Sequence, residues 1–142
     1  MVMDDSLPVL RAVVLDTTDA RGTAEFYRQL LGYSYRRGDE PPTHGQADPK
    51  GRDWLVLVDA TGQPRMSFQQ VRQLTPTTWP EPAVPMQLHV DLTVCNNDEL
   101  AENYERALRL GATLILDRSD HPAEPLYVFA DPAGHPFCLF VG

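Results

Sequence analysis

The chain has 142 residues, of which 42% are hydrophobic and 23% are charged, and this balance is typical of one globular domain with a buried core. Its formal net charge of −8 opposes binding to phosphate backbones and anionic lipid headgroups, so we expect no nucleic-acid partner and no membrane partner. The N-terminal stretch MVMDDSLPVL lacks the basic and long apolar segments of a secretory signal. We therefore expect a cytoplasmic protein, and the negative charge is compatible with a neutral or cationic small-molecule ligand.

The first half of the chain predicts a strand, a helix and a hairpin. The stretch RAVVLDT is rich in β-branched residues, Thr18 or Asp19 can cap the helix that follows, and Gly32 stands where that helix would end. Residues 38–52 contain almost no apolar side chain and are expected to form a loop. The stretch WLVLVDATGQPRMSFQQV predicts a hairpin with Asp, Gly and Pro at its turn.

The second half repeats this order after a linker, residues 75–85, whose four prolines exclude a helix or a central strand. The stretch LHVDLTV predicts a strand, Asn96 or Asn97 can cap a helix, and LYVFADPAGHPFCLFV predicts a hairpin. A shift of 77 residues superimposes the two strands and helices, and a shift of 72 places Gly62 on Gly134. We therefore expect one domain of two modules, about 9–74 and about 86–142.

Short motifs in both copies carry a resemblance to a known family. They are FY and LG in the first helix, LGA after the second helix, and DPAG in the second hairpin. With these motifs the chain resembles the vicinal oxygen chelate superfamily, the glyoxalase, bleomycin-resistance and dioxygenase fold. The stretches TWPEPAVPMQLHVDL and DPAGHPFCL resemble glyoxalase-like proteins frequent in actinobacteria. The resemblance implies an α+β fold of two tandem βαβββ modules, which form a curved mixed sheet around a cleft with the helices outside. It also implies a homodimer.

The resemblance further implies four positions for metal ligands, with His or Gln on the first strand of each module and Glu on the last. These positions fall on Ala12, Met66, His89 and Cys138. Only His89 keeps a family ligand, with the Cys138 thiol as a soft partner, whereas zinc or nickel usually takes three or four protein ligands. We therefore expect a degenerate metal site, no bound metal and no cofactor.

Alternation along the strands predicts which side chains face the cleft. If Val13 and Leu15 pack on the helix, the repeat points His89 and Asp91 to the opposite face. Because these two residues are two positions apart on one strand, their Cβ atoms should lie about 6 to 7 Å apart. Such a pair can fix or charge the imidazole for proton transfer, or it can be an ordinary polar contact on a wet surface.

Other side chains are candidates for ligand contact. Met66 and Phe68 share parity with Cys138 and Phe140 and would give the cleft an apolar lining, unless they only pack the core. Trp79 would cover either the cleft mouth or the junction of the modules. The apolar strand around Cys138 predicts an inert thiol, because such surroundings raise its pKa. The predicted ligand-binding residues are Phe68, Trp79, His89, Asp91, Cys138 and Phe140.

Two functions are compatible with these residues. The first is a small-molecule-binding protein with a degenerate metal site, of the drug-sequestering or resistance type found in the bleomycin-resistance branch. The alternative is a metal-independent lyase or isomerase that uses His89 with Asp91 for proton transfer beside a carbonyl. The sequence favours binding, because it offers one base and no evident electrophile. It does not identify the ligand.

Overall fold

A computed structural model describes residues 5–142, and the first four residues of the N-terminal stretch considered above lie outside that range. Neither long helix in the described part of the chain has the length and apolar character needed to cross a bilayer. The elements, in chain order, are β1 (Val13–Thr17), α1 (Ala20–Leu31), β2 (Ser34–Tyr35), a 3-10 helix (Lys50–Arg52), β3 (Trp54–Val58), β4 (Pro64–Gln70), β5 (Val90–Val94), α2 (Asn97–Leu110), β6 (Thr113–Arg118), β7 (Leu126–Ala130) and β8 (Pro136–Val141).

The strands form two four-stranded mixed sheets with the same topology. Their orders are β1-β4-β3-β2 and β5-β8-β7-β6. In each sheet the first strand pairs parallel with the last, and the remaining pairs are antiparallel. Helix α1 packs on β3 and β4, and α2 packs on β5 and β8. The predicted α+β fold of two tandem βαβββ modules is confirmed.

Local sequence signals place the helix ends where they were expected. The side chain of Asp19 accepts a hydrogen bond from the first turn of α1, and Asn96 does the same for α2. Both helices end at a glycine in the left-handed region, with φ of 71° at Gly32 and 116° at Gly111. The residues that begin and end each helix can therefore be recognised in the sequence.

The two hairpin turns are equivalent. The backbone amide of Gly62 donates to the carbonyl of Asp59, and that of Gly134 donates to the carbonyl of Asp131, both over 2.9 Å. In each turn the aspartate side chain also accepts hydrogen bonds from two backbone amides of the turn. The repeat predicted by the shift of 72 residues thus holds through both turns.

After the turns the two hairpins diverge by one residue. In the β3–β4 ladder the register shifts near the turn, and Arg65 is an extra residue that opposes no partner of its own. The β7–β8 ladder runs without such a shift. Ser67 is therefore the counterpart of Cys138, and the expected equivalence of Met66 with Cys138 is wrong. The reason is a β-bulge, in which one extra residue shifts the register of the strand although the residue types do not indicate it.

The bulge also reverses the predicted orientation of Phe68. Its Cα pairs with that of Leu15, so both side chains lie on the helix side of the sheet. Phe68 is fully buried and stacks on Tyr27 of α1, with ring centroids 5.8 Å apart. Met66 is buried in the same cluster. The prediction that Phe68 and Met66 line the cleft is therefore wrong, because both residues belong to the core.

A buried tyrosine joins the two modules into one core. The ring of Tyr27 contacts Phe68 of the first module and Phe137 of the second. Its hydroxyl donates a 2.6 Å hydrogen bond to Oδ2 of Asp131, which is 4% exposed. Burial raises the pKa of both groups. Helix α1 is thereby tied to the second hairpin as well as to its own sheet.

The loop of residues 38–52 lies against α1 and β3. The guanidinium of Arg21 donates to both carboxylate oxygens of Asp48, at 2.8 and 2.9 Å, and to the carbonyl of Asp39 at 2.7 Å. The buried carboxylate of Asp39 in turn accepts a 3.0 Å bond from the amide of Val56, beyond the end of the short β2. The loop therefore covers an open sheet edge on the helix side.

Candidate functional site

One face of the second sheet carries most of the predicted site. The β5–β8 register places Asp91 beside Cys138, and the β7–β8 register places Val128 beside Cys138. Leu116 follows beside Val128 on β6. Side chains in register lie on the same face of a sheet. These four residues therefore form a row across the face opposite α2.

A cavity of about 190 Å³ opens on this face. It lies between the sheet and the linker that connects the modules. Its apolar walls are Trp79, Met86, Leu116, Leu126 and Val128, and its polar groups come from His89, Arg118 and Cys138.

His89 and Asp91 form a direct contact beside the cavity. The distance from Nε2 of His89 to Oδ1 of Asp91 is 3.2 Å. The two side chains are 38% and 54% exposed, so solvent reaches both of them. The structure thus brings together the pair that strand alternation placed on one face. The contact can orient the imidazole, and it costs little desolvation at this exposure.

Cys138 adjoins this pair. Its sulfur, one carboxylate oxygen of Asp91 and one ring nitrogen of His89 all lie within 4.8 Å of one another. Burial, and then the carboxylate of Asp91, raise the pKa of the Cys138 thiol to about 11. The thiol is therefore protonated at neutral pH, which opposes a role as nucleophile.

The linker holds Trp79 over the sheet. The hydroxyl of Thr77 donates to the carbonyl of Val84 at 2.6 Å, and the amide of Thr78 donates to the same carbonyl at 2.9 Å. The hydroxyl of Thr77 also accepts from the amide of Trp79 at 3.1 Å. These bonds close the loop that carries the indole. Of the two positions considered for Trp79, the structure shows it in the cavity wall.

Phe140 shares the face of this cavity but does not line it. It lies two residues after Cys138 on β8 and pairs with Thr93 on one side and with Leu126 on the other. Sequence reasoning missed five lining residues, Met86, Leu116, Arg118, Leu126 and Val128. In β7 the stretch LYVFA is apolar at both parities, so alternation cannot tell its two faces apart.

A larger cavity of about 540 Å³ lies between the modules, against the linker and the turn of the second hairpin. It is lined by Asp16 and His135 but by none of His89, Asp91 and Cys138. The Nε2 atom of His135 lies 2.6 Å from the carbonyl oxygen of Asp16, so this ring nitrogen is already engaged. The smaller cavity is therefore the better candidate, because three predicted site residues meet there.

The structure does not support the four-ligand metal site that the resemblance implies. Because of the bulge, the residue of the first module that is equivalent to Cys138 is Ser67, a neutral hydroxyl, and the residue equivalent to His89 is Ala12. A methyl group cannot bind a cation, and a neutral hydroxyl is a poor substitute for Glu. The residues of the first module therefore do not fit such a site.

Comparison with known proteins agrees with the fold. The family model of the glyoxalase-like domain matches residues 12–140. No curated protein sequence matches the chain. A glyoxalase/bleomycin resistance protein/dioxygenase family enzyme from Burkholderia phytofirmans PsJN is 18% identical, with a TM-score of 0.64 over 92% of this chain and 96% of that one. The fosfomycin resistance protein FosX from Listeria monocytogenes is 16% identical, with a TM-score of 0.66 over 96% and 94%. A possible glyoxalase from Bacillus cereus is 13% identical, with a TM-score of 0.60 over 93% and 97%.

Proposed function

Since the chain belongs to the glyoxalase-like domain family, we propose that it is a small-molecule-binding protein of the drug-sequestering or resistance type. Its ligand site is the cavity between the second sheet and the linker, called the module 2 cavity below. The observation that carries this proposal is the composition of that cavity, which has five apolar walls and a few polar groups. Ligand sites commonly combine apolar burial with a few orienting polar groups.

The size of the cavity limits the ligand. A dry apolar cavity of about 150 Å³ accommodates benzene, so 190 Å³ suits a single substituted ring. The indole of Trp79 can contact such a ring, and His89 can accept or donate a hydrogen bond to a substituent. The ligand class is therefore a small aromatic compound with at least one polar substituent.

The fold of FosX, which is named a fosfomycin resistance protein, supports the resistance type as one use of this architecture. The identity of 16% limits the comparison to the fold. The residues around the module 2 cavity, and not the relative, define the proposed ligand. A resistance role requires that the protein protect cells against a compound that it binds in this cavity.

A thermal-shift screen of single-ring compounds tests the proposal. A compound at 100 times its dissociation constant should stabilise the protein by about 2.7 kcal/mol. Leu116→Trp fills the cavity and should abolish this shift. Leu88→Trp is the matched control, because Leu88 is 53% exposed and lines the larger cavity instead. Retention of the shift in Leu116→Trp with loss in Leu88→Trp would contradict the proposed site.

The contact between His89 and Asp91 favours one alternative function. A metal-independent lyase or isomerase would use His89 as the base and Asp91 to orient it, for a proton next to a carbonyl. Compounds from the screen, incubated with protein and examined by NMR, would then be converted. Conversion that disappears in His89→Ala would establish the enzyme. Binding without conversion supports the sequestering function.

We also propose that the protein forms a homodimer. Apolar side chains near the N-terminus support this, since Leu7, Val9 and Leu10 are 63%, 83% and 87% exposed. Such a cluster is typical of a surface that another molecule covers. Light scattering should give the mass of a dimer, and Val9→Asp with Leu10→Asp should give a monomer. A monomeric wild-type protein would contradict this part of the proposal.

A further inference from the structure

Three different ligand groups converge at one end of the module 2 cavity. They are the imidazole of His89, the carboxylate of Asp91 and the thiol of Cys138, called the module 2 cluster below. His89 directly precedes β5, Asp91 lies on that strand, and Cys138 lies next to Asp91 on β8. The edge strand β5 pairs along its whole length with β8, which is an inner strand of the sheet, so the backbone pairing of these two strands positions the cluster.

The spacing of the three groups matches a metal site. In a tetrahedral zinc site with bond lengths of about 2.0 Å to nitrogen and oxygen and about 2.3 Å to sulfur, ligand atoms are about 3.3 to 3.6 Å apart. In the cluster the three ligand atoms lie within 4.8 Å of one another, and Nε2 of His89 is 3.2 Å from Oδ1 of Asp91. Binding of one ion therefore requires the longer of these separations to shorten, without any change in the backbone pairing that holds the three residues together.

The chemistry of the cluster selects the ion. A combination of imidazole, carboxylate and thiolate suits zinc, and a zinc ion displaces the proton of the thiol that it binds. Calcium and magnesium instead require oxygen ligands throughout. The carboxylate of Asp91 supplies negative charge within the cluster itself, whereas the cation of this cavity, Arg118, belongs to the lining and not to the cluster. A divalent cation is therefore favoured over an anion at this point of the surface.

We infer that His89, Asp91 and Cys138 form a zinc site contained within the second module. This site differs from the four-position site of the resemblance, because Asp91 is not one of those positions and its counterpart in the first module is Val14. The sequence led us to expect no metal, since three of the four family positions have lost their ligands. The inference does not depend on the proposed organic ligand.

Three protein ligands leave one position of a tetrahedral ion free. His89 and Cys138 line the module 2 cavity, so a bound ion would lie at its edge. Zinc would also take the lone pair of the imidazole that the lyase or isomerase alternative needs for proton transfer. Occupancy of the cluster would therefore oppose that alternative.

Metal titration of protein first freed of metal by a chelator tests the inference. Zinc is added in competition with a chromophoric zinc indicator, and cobalt(II) is added to a second sample. We expect one equivalent of each ion to bind, with a thiolate-to-cobalt charge-transfer band in the near ultraviolet. Cys138→Ser should remove this band. His89→Ala and Asp91→Asn should each weaken zinc binding at least about tenfold, the smallest loss typical of substitutions that only support a metal ligand.

Cys95→Ser is the matched control, because Cys95 is an exposed cysteine of the same module. It should bind zinc and give the cobalt band like the wild type. The absence of stoichiometric binding in the wild type would overturn the inference, as would equal losses in Cys95→Ser and Cys138→Ser. Circular dichroism establishes that each variant is folded. Should Cys138→Ser fail to fold, Asp91→Asn decides, because the side chain of Asp91 is 54% exposed and supports no core contact.

Discussion

Tyr27→Phe should destabilise the protein because it removes the hydrogen bond that joins the modules. The Tyr27 hydroxyl donates to Oδ2 of Asp131 over 2.6 Å, and both side chains are buried. Without this donor, Oδ2 is left in the core without a partner, and such a loss costs about 1 to 3 kcal/mol. For a chain of this size the melting temperature should fall by roughly 3 °C for each kcal/mol.

Chemical denaturation with circular dichroism measures this loss. Tyr104→Phe is the matched control, because its ring packs on Tyr127 and Phe129 but its hydroxyl makes no hydrogen bond to any residue in the described range 5–142. The control should change the free energy of unfolding by no more than about 0.5 kcal/mol. Equal stability of the two variants would refute the view that the bond between Tyr27 and Asp131 holds the modules together.

Two further changes test the core. Burial raises the pKa of Asp131 above its ordinary 3.8, so the folded protein holds this proton more tightly than the unfolded chain does. We therefore expect the difference in free energy of unfolding, wild type minus Asp131→Asn, to fall as the pH rises from about 4 to 7. Urea denaturation of both proteins at several pH values measures this difference. A difference that rises with pH would be inconsistent with a raised pKa. Phe68→Ala should cost about 3 to 5 kcal/mol, because it empties a fully buried site, and a loss below 1 kcal/mol in denaturation would contradict its place in the core.

The parts of the fold that depend on local chemistry could be predicted from the sequence. Asp19, Asn96, Gly32 and Gly111 mark the helix ends because capping needs only a few neighbouring residues. The two hairpin turns were equally predictable, since an aspartate and a glycine with positive φ define each of them. Alternation also placed His89 and Asp91 correctly relative to one another, because β5 contains no bulge.

The register of β4 could not be predicted in the same way. Arg65 adds one residue to the ladder, and the strand PRMSFQQ gives no compositional sign of it. A shift of one residue places every following side chain on the other face of the sheet. Phe68 therefore lies in the core and not in the predicted cleft. In the structure Phe68 is therefore equivalent to Leu139 and not to Phe140.

Some residues that line the module 2 cavity could be named from the sequence, although ligand binding by them stays a prediction. Trp79, His89 and Cys138 were all proposed as ligand contacts, and all three line it. Leu116 was missed because it is linked to Cys138 only through Val128, that is, through pairing across the three strands β6, β7 and β8. Long-range pairing of this kind leaves no local pattern in the sequence.

The central claim is that a small ligand binds in the module 2 cavity. Its most direct test is methyl NMR of the protein titrated with a compound from the thermal-shift screen. The account predicts shifts of the methyl signals of Leu116, Leu126 and Val128, with those of Val14 and Leu88 in the larger cavity unchanged. Shifts confined to Val14 and Leu88 would contradict it.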